Sequence, residues 1–358
     1  MGHPYAIREI ARQAGLSEAT VDRVLNRRGG VRESTARSVH RAVADLDRQR
    51  TQVRLTGRTF MTDIVMQTPE RFSTAVRTAL EAELPSLSPA VLRCRFHFRE
   101  TGAPDGLIAT LDRIARRGSQ GVILKAPDVP EVTAAVGRLV TAGIPVVTLV
   151  TDLPASGRLA YVGMDNRAAG ATAGYLMGQW LGDRRGHILT TISRGFFRGE
   201  EEREMGFRAL LRTLRPARRL VEVTDSDGLD ATQYDLVLDA LRQDREIRAV
   251  YSMGGGNNAT LKAFDALGRT CDVFVAHDLD HDNAGLLRAG RLSAVLHHDL
   301  RRDVRTACQA VMRAHDALPV DPAPSFPSAI QVVTPFNMPP EVHAADGRTG
   351  APEPAGGG

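Results

Sequence analysis

The sequence predicts an α/β protein with a small three-helix head at its N-terminus and a two-lobed body built on parallel sheets. Apolar residues recur at helical spacing through the first 46 residues, and short apolar strands alternate with amphipathic helices from residue 60 onward. The excess positive charge lies entirely in residues 1–58, where twelve arginines face six acidic residues. A basic head on a nearly neutral body is typical of proteins that bind nucleic acid.

Composition narrows the possible classes of protein. The 358 residues are 42% hydrophobic and 25% charged, as expected for a globular chain of two or three domains. Three widely spaced cysteines, Cys94, Cys271 and Cys308, argue against a disulfide framework or a structural zinc site. No apolar run reaches about 18 residues, and the polar N-terminus lacks a signal-peptide pattern. We therefore expect a cytoplasmic protein without a membrane partner.

Each predicted helix of the head has one apolar face. The three faces comprise Ile7, Ile10, Ala11 and Ala14 in the first helix, Val21, Val24 and Leu25 in the second, and Ala36, Val39, Val43 and Leu46 in the third. Gly15 provides a tight turn after the first helix, and Ser17 is a favourable N-cap for the second. Three short helices with a glycine turn between the first two indicate a helix-turn-helix head.

Two stretches of the head, IREIARQAGLSEATVDRVLN (7–26) and VRESTARSVHRAVADL (31–46), resemble the lactose-repressor (LacI/GalR) family of bacterial transcription regulators. In that family the second helix lies in the major groove. The resemblance implies base contacts from Glu18, Ala19 and Arg23, and it implies phosphate or register contacts from Ser17, Thr20 and Asn26. The chemistry is suitable, because Arg can bond guanine O6 and N7 together and Glu can accept from cytosine N4.

Other basic residues follow the second helix. Arg27, Arg28 and Arg32 would add phosphate attraction that does not depend on base sequence. Asp22 stands where the family usually has Ser, so we expect its carboxylate to pair with an arginine or face a base. The linker at 47–59 also lacks the family's usual hinge sequence; Leu55 is either a minor-groove wedge or part of a simple basic linker.

From residue 60 the pattern predicts a parallel α/β body. Short apolar runs predict strands over residues 62–67, 91–98, 121–126, 144–150, 187–193, 219–225, 249–254 and 271–278. Amphipathic stretches predict helices over residues 72–84, 105–118, 130–143, 202–214, 232–244 and 257–268, and residues 161–182 combine a strand end with a helix. This length exceeds one sheet, so two lobes with a cleft at the carboxyl ends of the strands are expected.

The resemblance continues through YVGMDNRAAG, EREMGFRALL and VAHDLDHDNAGLLRAGRL, and it covers about residues 5–338. It implies a periplasmic-binding-protein-like, sugar-binding body. The predicted domains are a helix-turn-helix head at 1–46, a linker or hinge at 47–59, a two-lobed effector-binding and dimerisation domain at 60–338, and a disordered tail at 339–358.

Several polar residues at predicted strand ends are candidate ligand contacts. Arg203 and Asp278 match ligand-contacting positions of the family, and His298 stands where relatives often carry glutamine. Asp152 either accepts sugar hydroxyls or starts a turn with Pro154. Asn166, with Asp165 before it, either lines the cleft or caps the next helix.

Phe72 and Asn257 complete the predicted ligand set. Phe72 follows the first strand and is either an aromatic wall for sugar carbons or a core residue of its helix. Asn257 follows three glycines that would let the backbone approach a compact ligand. That loop lacks the spacing of a nucleotide-binding motif, and the sequence contains neither a convincing metal site nor a catalytic constellation. We therefore predict no cofactor and no metal.

Taken together, the residues and the resemblance predict a ligand-responsive transcription regulator. A repressor that binds a pseudo-palindromic, double-stranded operator as a homodimer is the favoured form, and a ligand-dependent activator is the alternative. The resemblance implies a sugar, polyol or sugar derivative as the effector. A solute-binding protein and a sugar-acting enzyme are rival classes, but the head and the absence of a recognisable catalytic set argue against them.

Overall fold

A computed structural model describes residues 3–100, 102–193, 197–226, 229–318 and 327–339. These ranges form a helical head and two α/β lobes, as the sequence predicts. No helix within them combines the length and apolar character needed to cross a membrane. The predicted tail lies outside the described residues except for Pro339.

The head consists of α1 (Ile7–Ala14), α2 (Glu18–Leu25) and α3 (Glu33–Leu55). Gly15 ends α1 in the left-handed region at φ 64°, and Ser17 caps α2 by accepting a hydrogen bond from the Thr20 amide at 3.2 Å. The predicted apolar faces meet in one small core, whose buried members are Tyr5, Ile10, Ala11, Val21, Val39 and Ala42. The helix-turn-helix prediction is confirmed.

Helix α3 continues beyond residue 46, the predicted end of the head, and most of the predicted linker is therefore helical. Residues 47–55 contain no Pro or Gly, and the helix stops just before Gly57, whose φ is 77°. The Tyr5 hydroxyl donates to Asp47 Oδ1 at 2.5 Å, so this extension is bonded to the head. The side chain of Leu55, the suggested minor-groove wedge, lies outside the described residues.

The first lobe is a parallel sheet between two helical layers, with strand order β2-β1-β3-β4-β5. Its strands are β1 (Thr59–Gln67), β2 (Val91–Arg99), β3 (Gly121–Lys125), β4 (Val146–Leu149) and β5 (Ala160–Val162). Its helices are α4 (Glu70–Glu83), α5 (Asp105–Arg117) and α6 (Pro130–Thr141). Because strands such as β3 are buried on both faces, they appear in the sequence as continuous apolar runs.

The second lobe has strand order β11-β10-β9-β8-β6-β7, and only the edge strand β11 is antiparallel to its neighbour. Its strands are β6 (His187–Ser193), β7 (Leu220–Ser226), β8 (Ile247–Ser252), β9 (Val273–His277), β10 (Ala294–His297) and β11 (Gln331–Val333). Its helices are α7 (Asn166–Leu181), α8 (Arg198–Leu214), α9 (Asp230–Gln243), α10 (Asn257–Ala266) and α11 (His281–Arg288). The short strands β10 and β11 were not predicted, because three or four residues carry too little periodicity.

Within the described residues the chain crosses between the lobes three times, which the periodicity of the sequence could not predict. It leaves the first lobe between β5 and α7, and it returns as α12 (Leu300–Ala314), whose Val304, Cys308 and Val311 pack into the first lobe's core. It then reaches the second lobe again as β11, after Ser328 has paired with Met164 at the crossing. These crossings hold the two lobes face to face.

Helices α7 and α8 of the second lobe pack with their backbones in direct contact. A Cβ atom on Gly170 would lie 1.8 Å from the Arg203 carbonyl oxygen, and one on Gly206 would lie 1.9 Å from the Arg167 carbonyl oxygen. Only glycine permits this approach, because both obstacles are main-chain atoms. The contact places Arg203 of α8 beside Asn166 at the start of α7.

We therefore expect Gly206→Ala to lower the free energy of unfolding by about 1–3 kcal/mol or more, through overpacking against main chain. Gly137→Ala is the matched control, since Gly137 is also helical but has nothing within 4 Å of the added Cβ. The control is expected to gain about 0.4–1 kcal/mol. Urea unfolding measures both values, and equal stability of the two variants would refute the close contact.

Candidate functional site

A cavity lies between the two lobes at the carboxyl ends of their strands. Its free volume is about 70 Å³. The residues that line it follow or end strands of both sheets and include Thr68, Lys125, Val150, Thr151, Ser193, Met253, Gly254, Gly255, His277 and Asp278. This is the expected ligand position in open α/β sheets, so the predicted cleft is present.

Arg203 enters the cavity from α8 and is held by both neighbouring elements. Its Nε donates to Asn166 Oδ1 at 2.8 Å, and its Nη1 donates to the Met253 carbonyl at 2.9 Å. The side chain is only 3% exposed and lines the cavity. These two hydrogen bonds fix the orientation of the guanidinium group, and Nη2 takes part in neither of them.

Asp278 lies opposite, directly after β9, with φ at 64°. Its amide donates to the Leu296 carbonyl at 3.0 Å, and its carbonyl accepts from Asn283 Nδ2 at 2.7 Å, so the unusual backbone is held on both sides. Its Oδ1 is buried and has no hydrogen-bond partner among the described residues. An acceptor of this kind requires a donor, which a ligand hydroxyl can supply.

His298 lies behind Asp278 and is not among the residues that line the cavity. Its Nε2 is 3.7 Å from Asp278 Oδ1, and its Nδ1 is hydrogen-bonded to Asp303 Oδ2. Asp303 also accepts from the Ser328 hydroxyl. Instead of the predicted direct contact, the geometry gives His298 a supporting position for Asp278.

Three other predicted ligand residues lie outside the cavity lining. The Asp152 carboxylate pairs with Arg158 and accepts from the Thr148 hydroxyl and the Leu153 amide, which fits the turn alternative. Asn166 uses its amide group to bond Val150, Tyr161 and Arg203. Asn257 is buried and donates to Asn283 Oδ1 at 2.7 Å. Protein groups already bond the polar atoms of Asp152 and Asn166, whereas Asn257 Oδ1 is buried without a hydrogen-bond partner among the described residues.

Phe72 lines the cavity and also belongs to the core of the first lobe. Its role as an aromatic wall for sugar carbons stays a prediction. Gly254 and Gly255, which precede Asn257, bring bare backbone to the cavity, and the approach of this backbone to a ligand stays a prediction. A Cβ on Gly254 would lie 2.6 Å from Glu200 Oε2.

The sequence analysis missed several charged residues of the cavity. Lys125 ends β3, where burial lowers its pKa to about 8. Glu200 of α8 accepts from the Ser193 amide at 2.8 Å and from the Ser193 hydroxyl at 2.7 Å. Lys125 was detectable, because a lysine that ends the apolar run GVILK is unusual in a chain with only two lysines.

The second missed group is an ion pair across the cleft. Arg71 of the first lobe contacts Asp280 of the second, with 3.0 Å between Nε and Oδ2. Burial raises the pKa of Asp280 to about 6, although its N-cap bond from the Asn283 amide opposes this rise. His277, beside them, is bonded to the Tyr251 hydroxyl at 2.8 Å, and burial lowers its pKa, so it is neutral at pH 7.

On the head, the predicted recognition face of α2 is open. Glu18, Ala19, Arg23 and Asn26 are exposed, as are Arg27 and Arg32 in the loop that follows. Thr20 is half-buried, and its hydroxyl shares a hydrogen bond with that of Ser17 at 2.8 Å. Asp22 pairs with Arg28 at 2.9 Å and accepts from Asn26 Nδ2 at 2.7 Å, so the expected arginine partner is present.

Within the described ranges, no group of three or more His, Cys, Asp or Glu side chains is arranged to hold a metal ion. Of the histidines in the sequence HDLDH, His277 is bonded to Tyr251, and the His281 side chain is largely exposed to solvent.

Comparison with protein families gives two matches. Residues 64–317 match the periplasmic binding protein domain family, and residues 6–49 match the lacI family of bacterial regulatory proteins. The first match spans more than two thirds of the chain. None of the curated proteins compared with the chain matches it.

Solved structures with the same fold include transport and regulatory proteins. A glucose-galactose binding protein from Geobacillus stearothermophilus has a TM-score of 0.68 and 18% identity, covering 78% of this chain and 99% of that one. A protein from Bacteroides fragilis assigned as a LacI transcriptional regulator gives 0.69 and 16%, with 78% and 98% covered. A solute-binding protein from Burkholderia graminis C4D1M, in complex with D-arabinose, gives 0.68 and 19%, with 79% and 97% covered. At these identities the likeness establishes the fold alone.

Proposed function

The chain belongs to the lacI-type bacterial regulatory proteins that carry a periplasmic binding protein domain, and from this premise we propose that a small hydroxylated effector controls its affinity for operator DNA. The effector belongs to the sugars, polyols or their derivatives. The protein acts in the cytoplasm as a homodimeric repressor, because the DNA it binds is there and a two-fold dimer matches a pseudo-palindromic operator.

One observation carries the proposal: the cavity between the lobes presents fixed donors and acceptors from both sheets. Arg203 and Lys125 offer donors, Asp278 offers an acceptor, and Phe72 offers an apolar ring face. Alternating donors and acceptors beside an aromatic face suit a polyhydroxylated molecule, whose hydroxyls both donate and accept while its carbons are apolar.

The same cavity explains how an effector would act at a distance. A ligand that contacts Asp278 in one lobe and Lys125 in the other favours the closed arrangement of the lobes. The first lobe is joined to α3 through β1, so we expect movement of this lobe on closure to alter the positions of the two heads in a dimer. The effector changes operator affinity only to the extent that it binds the two arrangements differently.

Selection of fragmented genomic DNA by the purified full-length protein tests the proposed function directly. We expect enrichment of a few inverted repeats upstream of genes, with Arg23→Ala protein as the control that loses this enrichment. The neighbouring genes then nominate effectors for binding assays. If neither the protein alone nor the protein with a panel of sugars enriches any repeat over the control, the regulator assignment fails.

A further inference from the structure

We propose that the effector is a sugar acid, a polyhydroxylated monocarboxylate whose acid group binds between Lys125 and Arg203. This inference rests on the proposed function, since it names the chemical class of ligand for the same cavity. It goes beyond the family matches, which identify the domain and not the charge of what this chain binds.

Lys125 is a buried cation that has no carboxylate within ion-pair distance in the described part of the chain. It is 9% exposed, and its one described hydrogen bond is a long one to the Gln67 carbonyl, 3.4 Å from Nζ. Its nearest ring is Phe197, with 4.0 Å between Nζ and the centroid, and Phe72 follows at 5.8 Å. Aromatic faces stabilise an ammonium group, but they do not neutralise its charge.

Arg203 is a second buried cation of the cavity, and it too lacks a charged partner among the described residues. Both of its described hydrogen bonds go to neutral oxygens, those of Asn166 and Met253. Among the described residues, no carboxylate lies within ion-pair distance of Arg203 or of Lys125. Buried cations are costly unless they are paired, so two of them facing one cavity indicate an anionic partner that arrives with the ligand.

Other charged side chains of the cavity have partners within the protein. Arg71 pairs with Asp280, and the Glu200 carboxylate accepts from the amide and hydroxyl of Ser193. Arg71 thus has a carboxylate partner at 3.0 Å, whereas Lys125 and Arg203 have none among the described residues. These two side chains keep their positive charges available toward the cavity.

The neighbouring acids restrict the charge of the ligand. Burial lowers the pKa of Lys125 to about 8, while Glu200 and Asp278 raise it, so the amine remains mostly protonated at pH 7. Those two carboxylates would repel a dianionic phosphate more strongly than a monoanionic carboxylate. The unpartnered Asp278 Oδ1 requires a donor, which a hydroxyl of the same ligand provides. A carboxylate with several hydroxyls fits both ends of the cavity.

Matched pairs of ligands test the proposal by calorimetric titration of the full-length protein. The probes are D-glucose, D-galactose, D-glucuronate, D-galacturonate, D-gluconate, D-galactonate and D-glucose 6-phosphate. We expect at least one of the sugar acids to bind more tightly than its neutral counterpart and than the phosphate. Failure of every acid to bind, or tighter binding of a neutral sugar or the phosphate, overturns the proposal.

Lys125→Met supplies an independent readout that needs no effector. Removal of an unpaired buried cation is expected to raise the Tm of the ligand-free protein by roughly 2–4 °C and to weaken sugar-acid binding roughly 10- to 100-fold. Lys262→Met is the control, because Lys262 is exposed on α10 and should change neither value. A lower Tm for Lys125→Met would show that the protein itself pairs this cation, and the proposal would be wrong.

The regulator assignment and the sugar-acid ligand class can be refuted separately. If a neutral sugar binds and releases operator DNA, the regulator stands and only the acidic class is refuted. If sugar acids bind but no operator is selected with or without them, the ligand class stands and the regulator assignment is refuted.

Discussion

Arg23→Ala is expected to remove most of the protein's preference for its operator over random DNA while leaving effector binding unchanged. Arg23 is exposed on the outer face of α2, which the capped turn at Ser17 fixes against the head core. A bidentate contact from Arg to guanine contributes about 1–3 kcal/mol of discrimination, and a two-fold dimer makes it twice. We therefore expect a loss of about 2–6 kcal/mol in specific binding.

The measurement compares affinities for operator and random duplexes at several salt concentrations. Arg37→Ala is the matched control, because Arg37 is an exposed arginine of the same head, paired with Glu33 on α3. Loss of a charge that contacts only phosphate weakens binding to both duplexes alike and reduces the salt dependence. An unchanged ratio of the two affinities for Arg23→Ala would contradict the assignment of α2 as the reading helix.

Much of the fold could be predicted because its signals are local. The helical faces around Ile10, Val21 and Val39 are readable within a few residues, and the strand-helix alternation of the body repeats over the whole chain. The full length of α3 was not predicted. The family's linker pattern suggested that the helix ends near residue 46, but residues 47–55 contain no helix-breaking residue. The crossings between lobes depend on contacts such as Met164 with Ser328, which no local pattern reveals.

The residues of the cavity also differ in how far the sequence predicts them. Arg203, Asp278 and Phe72, to which strand ends and family positions point, do line the cavity, and their contact with a ligand stays a prediction. For Asp152 and His298, residues only a few positions further along the chain, Arg158 and Asp303, already bond the carboxylate and the imidazole Nδ1. A sequence shows which side chains can bond a ligand, but only the packed structure shows which of them are already bonded.

A second large effect, on the response to the effector, is expected from substitution of Asp278. Asp278→Ala is expected to weaken strongly the response of operator binding to the effector, since the buried Oδ1 is an acceptor with no hydrogen-bond partner among the described residues. A hydrogen bond to a charged group contributes about 1.5–3 kcal/mol, so the effector concentration for half-response should rise roughly 10- to 100-fold. Operator affinity without effector should stay as in the wild type, because Asp278 is remote in sequence from the head and lies in the cleft.

Backbone conformation requires a second variant at this position. Asp278 has φ at 64°, where alanine is strained by about 1–2 kcal/mol and glycine is not. Asp278→Gly removes the same carboxylate without the strain, and Asp282→Ala removes a neighbouring carboxylate that is 47% exposed. If the response is lost in both Asp278 variants and kept in Asp282→Ala, the carboxylate binds the effector. If Asp278→Gly responds normally, the loss in Asp278→Ala arises from a distorted strand end, and the ligand's donor must be sought at another residue.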